Sequence, residues 1–236
     1  MMDSTHDGAR GLQTPGQADG ARGQADGARG LQTPGGGRRI AVGVTGASGA
    51  IYAVRTIAAL LEAGCHLEIV FSDYGKRLLL EELGAEAKVD RLAELLRDRY
   101  GDGVARGSFV LHSNKDLGAT LASGSHRCEA MVIVPCSMKT LAGLALGLSR
   151  SLIERAADVM LKEQRRLVLV PRETPMSLPA LRHLVACAEA GAMILPAMPA
   201  FYQQPQTIED LAAFIAGKIL NGLGFEQQLF PPWKGE

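Results

Sequence analysis

From residue 38 onward the apolar positions fall into short, nearly continuous runs, separated by longer stretches in which they recur every three or four residues. The runs lie at 40–45 (IAVGVT), 67–71 (LEIVF), 131–134 (MVIV), 167–170 (LVLV) and 193–195 (MIL). Most are rich in β-branched residues and lack the polar alternation of a half-exposed strand, which is the pattern of parallel strands buried on both faces. A weaker strand pattern, SFVLHS, occupies 108–113. Helical periodicity covers 50–63, 74–83, 90–99, 139–148, 151–164, 177–190 and 207–221. This alternation predicts an α/β fold: an open, doubly wound, mostly parallel sheet of six strands, with right-handed crossovers that place helices on both faces. In such a sheet ligands bind beyond the carboxyl ends of the strands, near a switch in strand order. The residues just after each apolar run are therefore where chemistry is sought.

Residues 1–37 differ in kind. GARGLQTPG occurs at 8–16 and again at 27–35, and QADGARG repeats back to back at 17–23 and 24–30. This stretch has no Val, Ile, Phe, Tyr or Trp, and its only leucines are Leu12 and Leu31. It holds too little apolar surface to offset chain entropy, which predicts a disordered tail at 1–37 and one domain at 38–236. The whole chain of 236 residues is 47% hydrophobic and 21% charged, enough for a full core. Lys and Arg together number 25, as do Asp and Glu. That balance argues against nucleic acid as a partner, which leaves a basic footprint. No apolar run reaches the roughly 18–20 residues of a membrane span, and the N-terminus lacks the basic-then-apolar order of a signal peptide. The four cysteines form no CxxC pair, so a reducing cytoplasm is the expected compartment.

The strand ends carry the candidate chemistry. The first run leads into Thr45-Gly46-Ala47-Ser48-Gly49-Ala50 and then a helix. Glycines and small side chains let backbone N–H groups approach an anion, with the helix N-terminus facing it. The GxxG spacing is not the GxGxxG of dinucleotide-binding loops and suits a phosphate or flavin. Ser48 either binds a ligand or caps the helix; after the second run Ser72 either reaches a ligand or, with Asp73 as the other candidate, caps the helix at 74–83. Glu82 lies near the end of a helix, where its charge opposes the dipole; it either faces solvent or serves a site. Ser137, Met138, Lys139 and Thr140 open the helix after the fourth run, offering hydroxyls and free N–H groups to a phosphate or a flavin edge. Cys136 has no sequence-adjacent base and reads as a structural thiol. Arg155, Asp158 and Lys162 share one helix face, either as a solvated ion-pair stripe or as cations for an anionic substrate from a neighbouring subunit or loop. Arg172 and Glu173 emerge from a strand between Pro171 and Pro175. Arg suits phosphate recognition and Glu proton transfer; a mutual ion pair is the competing reading. Loop 196–206 (PAMPAFYQQPQ) is aromatic and Pro-rich, with the Tyr202 hydroxyl as a polar handle in an apolar wall. The five histidines show no metal-ligand spacing.

Taken together, TGASGAIYAVR, VPCSMKTLAG, LIERAADVMLKE, RRLVLVPRETP and PAFYQQPQTIEDL, in this order, resemble the flavin prenyltransferase family of the UbiX type. The likeness spans about residues 38–234. It implies a Rossmann-like flavoprotein that binds reduced FMN and dimethylallyl phosphate and joins the prenyl group to flavin N5 and C6 without a metal ion. The product, prenylated FMN, would serve decarboxylases of the UbiD type, including those of ubiquinone synthesis. A homododecamer with active sites at subunit contacts is also implied. By motif, Gly46, Ala47, Ser48 and Ser72 match FMN-binding positions, as do Ser137, Met138, Lys139 and Thr140, and Arg172 matches a flavin-contacting arginine. Glu173 matches an acidic residue that handles protons. Glu82, Arg155 and Lys162 match charged residues around the prenyl-phosphate pocket, where Ser48 is also expected to act. Tyr202 and Lys218 match two positions that bind dimethylallyl phosphate.

Three departures stand out. Leu117 occupies a position where some members carry tryptophan, Lys218 replaces the arginine of many members, and the repetitive tail has no family counterpart. The alternative is a flavin-dependent decarboxylase of the phosphopantothenoylcysteine or cysteine-peptide type, which shares the fold; a non-catalytic FMN carrier is a third reading. Those decarboxylases resemble this chain less, for stretch 50–63 has no histidine and PAMPAFY lacks the asparagine of their PxMN motif.

Overall fold

The apolar runs form strands β1 (Arg39–Val44), β2 (His66–Phe71), β3 (Ser108–Ser113), β4 (Ala130–Cys136), β5 (Arg166–Pro171) and β6 (Met193–Ile194). Between them lie α1 (Ala50–Glu62), α2 (Asp73–Leu83), α3 (Leu92–Tyr100), α4 (Met138–Ala145), α5 (Leu152–Lys162), α6 (Leu178–Glu189) and α7 (Ile208–Gly222). These belong to a computed structural model that describes residues 37–231. The tail expected at 1–37 lies, apart from Gly37, outside the described residues.

All five strand pairings are parallel, in the order β3-β2-β1-β4-β5-β6. The described sheet is thus wholly parallel, where the sequence predicted a mostly parallel one. Successive side chains alternate between two cores. Ile40, Val42 and Val44 pack with α1 and α7 on one face, while Ala41, Met131 and Ile133 pack with α4 and α5 on the other. Ile40, Val42, Ile69 and Val132 are fully buried. Each contributes about 1.5–3 kcal/mol by leaving water, and this two-sided burial is why the central runs read as continuous.

The departures have local causes. β3 is an edge strand with Val110 and Leu111 exposed, so its pattern is weak. β4 continues through Pro135 to Cys136, past the expected end at 134. Proline has no N–H to give the ladder, and the β4–β5 register shifts between Ile133 and Cys136. α4 stops at Ala145, short of the expected 148, because Gly147 adopts a φ of 66° and turns the chain.

Candidate active site

The strand order reverses between β1 and β4, so the chain leaving β1 enters α1 on one face and the chain leaving β4 enters α4 on the other. Thr45, 2% exposed, fastens the two exits together. Its Oγ1 donates to the Pro135 carbonyl and accepts the Ser137 N–H, both at 2.8 Å. Its own N–H donates to the same carbonyl at 3.3 Å. The carbonyl freed by the irregular β4 ladder is therefore the one that Thr45 holds. The local signal for Thr45 is slight, a threonine ending an otherwise apolar run.

The N-terminus of α1 overturns one expectation. Its N-cap is Gly49, at φ 115°, with no side-chain cap of its own. Glu82 comes from α2 and accepts the Gly49 N–H at 2.9 and 3.1 Å and the Ala50 N–H at 2.7 Å. A carboxylate already occupies the positive end of α1, and a phosphate there would meet like charge. This helix N-terminus is not the anion seat predicted from the Gly46–Ala50 turn. Ser48 is not the cap either; it is exposed, as is Gly46, while Ala47 is buried. Glu82 is thus a holder of the turn that carries Ser48.

Arg172 and Glu173 also diverge from one of their readings. Arg172 Nε donates to the Ser48 carbonyl at 2.9 Å, drawing the β5 exit against the β1 exit. Glu173 Oε1 accepts the Thr174 N–H at 3.1 Å. Among the described residues no ion pair joins Arg172 to Glu173, since neighbours on an extended segment point apart. Tyr52 is a neighbour that sequence reasoning missed. Its ring lies where a Cβ on Gly49 would come within 2.7 Å of it. Burial pushes its phenol pKa up, against the opposing pull of Arg172.

On the other side of the seam, Ser137 Oγ accepts the Thr140 N–H at 3.3 Å and lies 3.1 Å from Thr140 Oγ1. Ser137 is therefore the N-cap of α4. Helix geometry leaves the N–H groups of Met138 and Lys139 without an intrahelical acceptor. Ser72 likewise caps α2, accepting the Gly75 N–H at 3.0 Å, which realises the simpler of its two readings. Cys136 is wholly buried and burial raises its thiol pKa, as fits a structural thiol.

Tyr202 and Lys218 meet around Phe214. The Tyr202 ring is edge-on to Phe214 at 6.2 Å, and the Lys218 ammonium lies 5.5 Å above the Phe214 ring. Arg155 and Lys162 lie at opposite ends of α5, Arg155 against the loop that follows β3. Arg155 Nε donates to the Ala122 carbonyl at 3.1 Å, and its Nη1 pairs with Asp158 at 2.7 Å. Lys162 ends α5 just before β5 begins at Arg166, which puts it at the opposite, amino-terminal edge of the sheet. Its partner there is Glu163 at 3.5 Å.

A doubly wound sheet with converging glycine-containing and cap-bearing loops at its switch point is the architecture of a nucleotide- or flavin-binding protein. Comparison with known proteins makes this specific. The family model described as Flavoprotein matches residues 30–219. The flavin prenyltransferase UbiX of Synechocystis sp. is 46% identical over 195 residues, covering 82% of this chain and 95% of the relative. A crystal structure of AnUbiX (PadA1) in complex with FMN and dimethylallyl pyrophosphate superposes with a TM-score of 0.74. It is 38% identical, over 85% of this chain and 99% of its own. A dodecameric FMN-dependent UbiX-like decarboxylase from Escherichia coli O157:H7 gives the same TM-score at 37% identity, over 84% of this chain and 100% of its own. The chain belongs to the flavoprotein family and, within it, to the UbiX-type flavin prenyltransferases.

Proposed function

We propose that this protein joins the dimethylallyl group of dimethylallyl phosphate to N5 and C6 of reduced FMN, producing prenylated FMN. The observation that carries the reading is the convergence at the switch point of the Gly46–Ser48 turn, whose Gly46 and Ser48 are exposed, the start of α4 and the Arg172–Glu173 loop. It does so in a chain 38% identical to a protein crystallised with FMN and dimethylallyl pyrophosphate.

The residues present fit FMN. The N–H groups of Met138 and Lys139, the hydroxyls of Ser137 and Thr140 and the exposed Lys139 ammonium make an anion seat for the flavin phosphate. Gly46, Ala47, Ser48 and Ser72 border the ring. Arg172, tethered through Nε to Ser48, keeps its other N–H groups for the flavin. When bound, reduced FMN supplies the nucleophilic ring positions. The protein's own residues bind, orient and exclude water. Lys218 and the Tyr202 hydroxyl bind the prenyl phosphate and stabilise the charge that develops on it, while the aromatic faces beside them shield the allylic carbon. Glu173 takes up and delivers a proton through its second carboxyl oxygen, the first being held by Thr174. Glu82 acts through α1 by keeping the Ser48 turn in place.

Lys162, at the amino-terminal edge of its own sheet, and Arg155 on the same helix serve the phosphate pocket of a neighbouring copy in a homo-oligomer of the dodecameric kind described for the Escherichia coli neighbour. The product passes to a UbiD-type decarboxylase in the cytoplasm. Among the described residues no helix is long and apolar enough to cross a membrane. The cysteine-decarboxylase alternative gains no support, for α1 carries no histidine. The test is to mix purified protein with reduced FMN and dimethylallyl phosphate without oxygen. A flavin heavier by one five-carbon unit is expected; FMN bound and returned unchanged would reduce the protein to a carrier.

A further inference from the structure

Lys218 is exposed on α7, yet its ammonium is seated over two rings, 5.5 Å from the centroid of Phe214 and 5.8 Å from that of Phe230. The rings stack at 4.8 Å with 29° between their planes. Phe214 stands one turn before Lys218 on α7, and its other neighbour is Tyr202. Phe230 arrives from outside the helix, on the C-terminal segment 225–231. Gln227 braces that segment from within: its Oε1 accepts the N–H groups of Leu229 and Phe230 at 2.7 and 3.3 Å. Its Nε2 donates to the Phe230 carbonyl at 3.3 Å. Gln203, beside Tyr202, donates to the Pro231 carbonyl at 2.9 Å. Gly217 makes the room, for a Cβ there would sit 2.5 Å from Phe230 Cε1 and 2.8 Å from Gln227 Oε1.

We infer that Phe230 is a positioning residue for the prenyl-phosphate substrate: its ring, stacked on Phe214, seats the Lys218 ammonium, and its segment joins Lys218 and Tyr202 into one phosphate-binding unit. This rests on the assignment of Lys218 and Tyr202 to the phosphate made above. The need is particular to lysine. Its flexible four-carbon stem loses rotamer freedom when it grips an anion, whereas the planar fork of an arginine is pre-organised. An ammonium already held over two ring faces has surrendered part of that freedom before the substrate arrives.

The test is steady-state kinetics of full-chain variants at saturating reduced FMN with dimethylallyl phosphate varied. Phe230→Leu keeps an apolar side chain and removes the ring face. It is expected to raise KM about 3- to 10-fold, with any fall in kcat smaller than that of Lys218→Ala, while leaving FMN affinity within about 2-fold. Phe230→Tyr restores the wild-type KM. Lys218→Ala raises KM at least as far, and adding Phe230→Leu to it raises KM no further. An unchanged KM in Phe230→Leu beside an impaired Lys218→Ala overturns the inference alone. An equal Phe230→Leu effect in the Lys218→Ala background does the same, because the ring would then act on something other than Lys218. An unchanged KM in Lys218→Ala overturns the phosphate assignment and the seat with it.

Discussion

Two charged clusters sit on the same sheet and differ in how completely they are satisfied. On β2, the Glu68 carboxylate is 2% exposed and is met from three directions. Arg39 Nη1 donates to Oε1 at 3.2 Å, His126 Nε2 to the same oxygen, and His112 Nε2 to Oε2 at 3.0 Å. Burial pushes this carboxyl pKa up, but the His126 hydrogen bond and the charges of His126, His112 and Arg39 outweigh it and hold it below the ordinary range. At the switch point the accounting is different. Met138 and Lys139 have N–H groups with no helical acceptor, Ser48 is exposed, and among the described residues the side chain of Arg172 hydrogen-bonds through Nε alone. A polar cluster that closes on itself fixes structure, whereas one with donors left over is set for a ligand.

The sharpest way to separate the two is to remove one carboxylate from each. Glu173→Gln keeps shape and the Thr174 hydrogen bond but cannot carry a proton. Prenylated flavin should form about 10²-fold slower or more, the usual loss for an acid–base group, with FMN occupancy and Tm unchanged. Mass analysis of the flavin and a melting curve on the same sample check this. Near-normal product formation would remove Glu173 from the chemistry.

Glu68→Gln should show the reverse, a loss of stability with activity per folded molecule retained. Replacing a buried, charge-assisted acceptor while its donors remain costs about 1–3 kcal/mol, or a fall in Tm of about 2–4 °C for each kcal/mol. The pH dependence has a definite sign. A carboxyl whose folded pKa is lowered stabilises the fold fully above its unfolded pKa of ~4.3, and that contribution is lost as pH falls through the folded value. The gap between wild type and Glu68→Gln should thus be widest near neutrality and close under acid, read from urea unfolding at several pH values. A gap independent of pH would mean that Glu68 contributes shape and not charge.

Thr45→Val tests the seam between the two strand exits. The swap keeps volume but leaves the Pro135 carbonyl without the Thr45 hydroxyl and the Ser137 N–H without its acceptor. A cost of about 1–2 kcal/mol is expected. FMN affinity should fall with it, because Ser137 opens the proposed phosphate seat. Loss of stability with flavin affinity intact would confine Thr45 to holding the sheet.

The legible parts of this molecule are those that depend on neighbours in sequence. β1, β2, β4 and β5 declared themselves because strands buried on both faces have no polar alternation to blur them. The Ser72 cap was among its local readings, a serine between a strand and a helix, whereas Ser137 was read as a ligand group and its capping of α4 came with the structure. What stayed hidden was long-range pairing. Glu82 reaches Gly49 across 33 residues, and no local pattern says that its carboxylate fills the turn meant for a phosphate. His112 and His126 read as unremarkable because Glu68 lies 44 and 58 residues away. Phe230 is equally silent until the C-terminal segment folds back over Gly217. Arg155 and Lys162 were picked out by resemblance alone, since a helix face bearing an Arg155–Asp158 pair reads locally as an ordinary solvated stripe.

The smallest effect is expected where the composition is poorest. Residues 1–36 carry two leucines and none of the β-branched aliphatic or aromatic side chains that fill the two cores, Val, Ile, Phe, Tyr and Trp being absent. Gly37 belongs to the domain: a Cβ on it would lie 1.7 Å from the Gly64 carbonyl oxygen, so the chain there is pressed against the turn after α1. Deletion should therefore stop at residue 36 and keep Gly37. A protein shortened in this way should melt within about 2 °C of the full chain, as for changes that remove no buried contact. It should also bind FMN equally well and elute at the size of the parent assembly less the mass removed. Size-exclusion chromatography with light scattering and flavin absorbance reads all but the melting in one run. A smaller assembly, or loss of flavin, would show that the repeats hold the oligomer or the site together, which their composition gives no physical means to do.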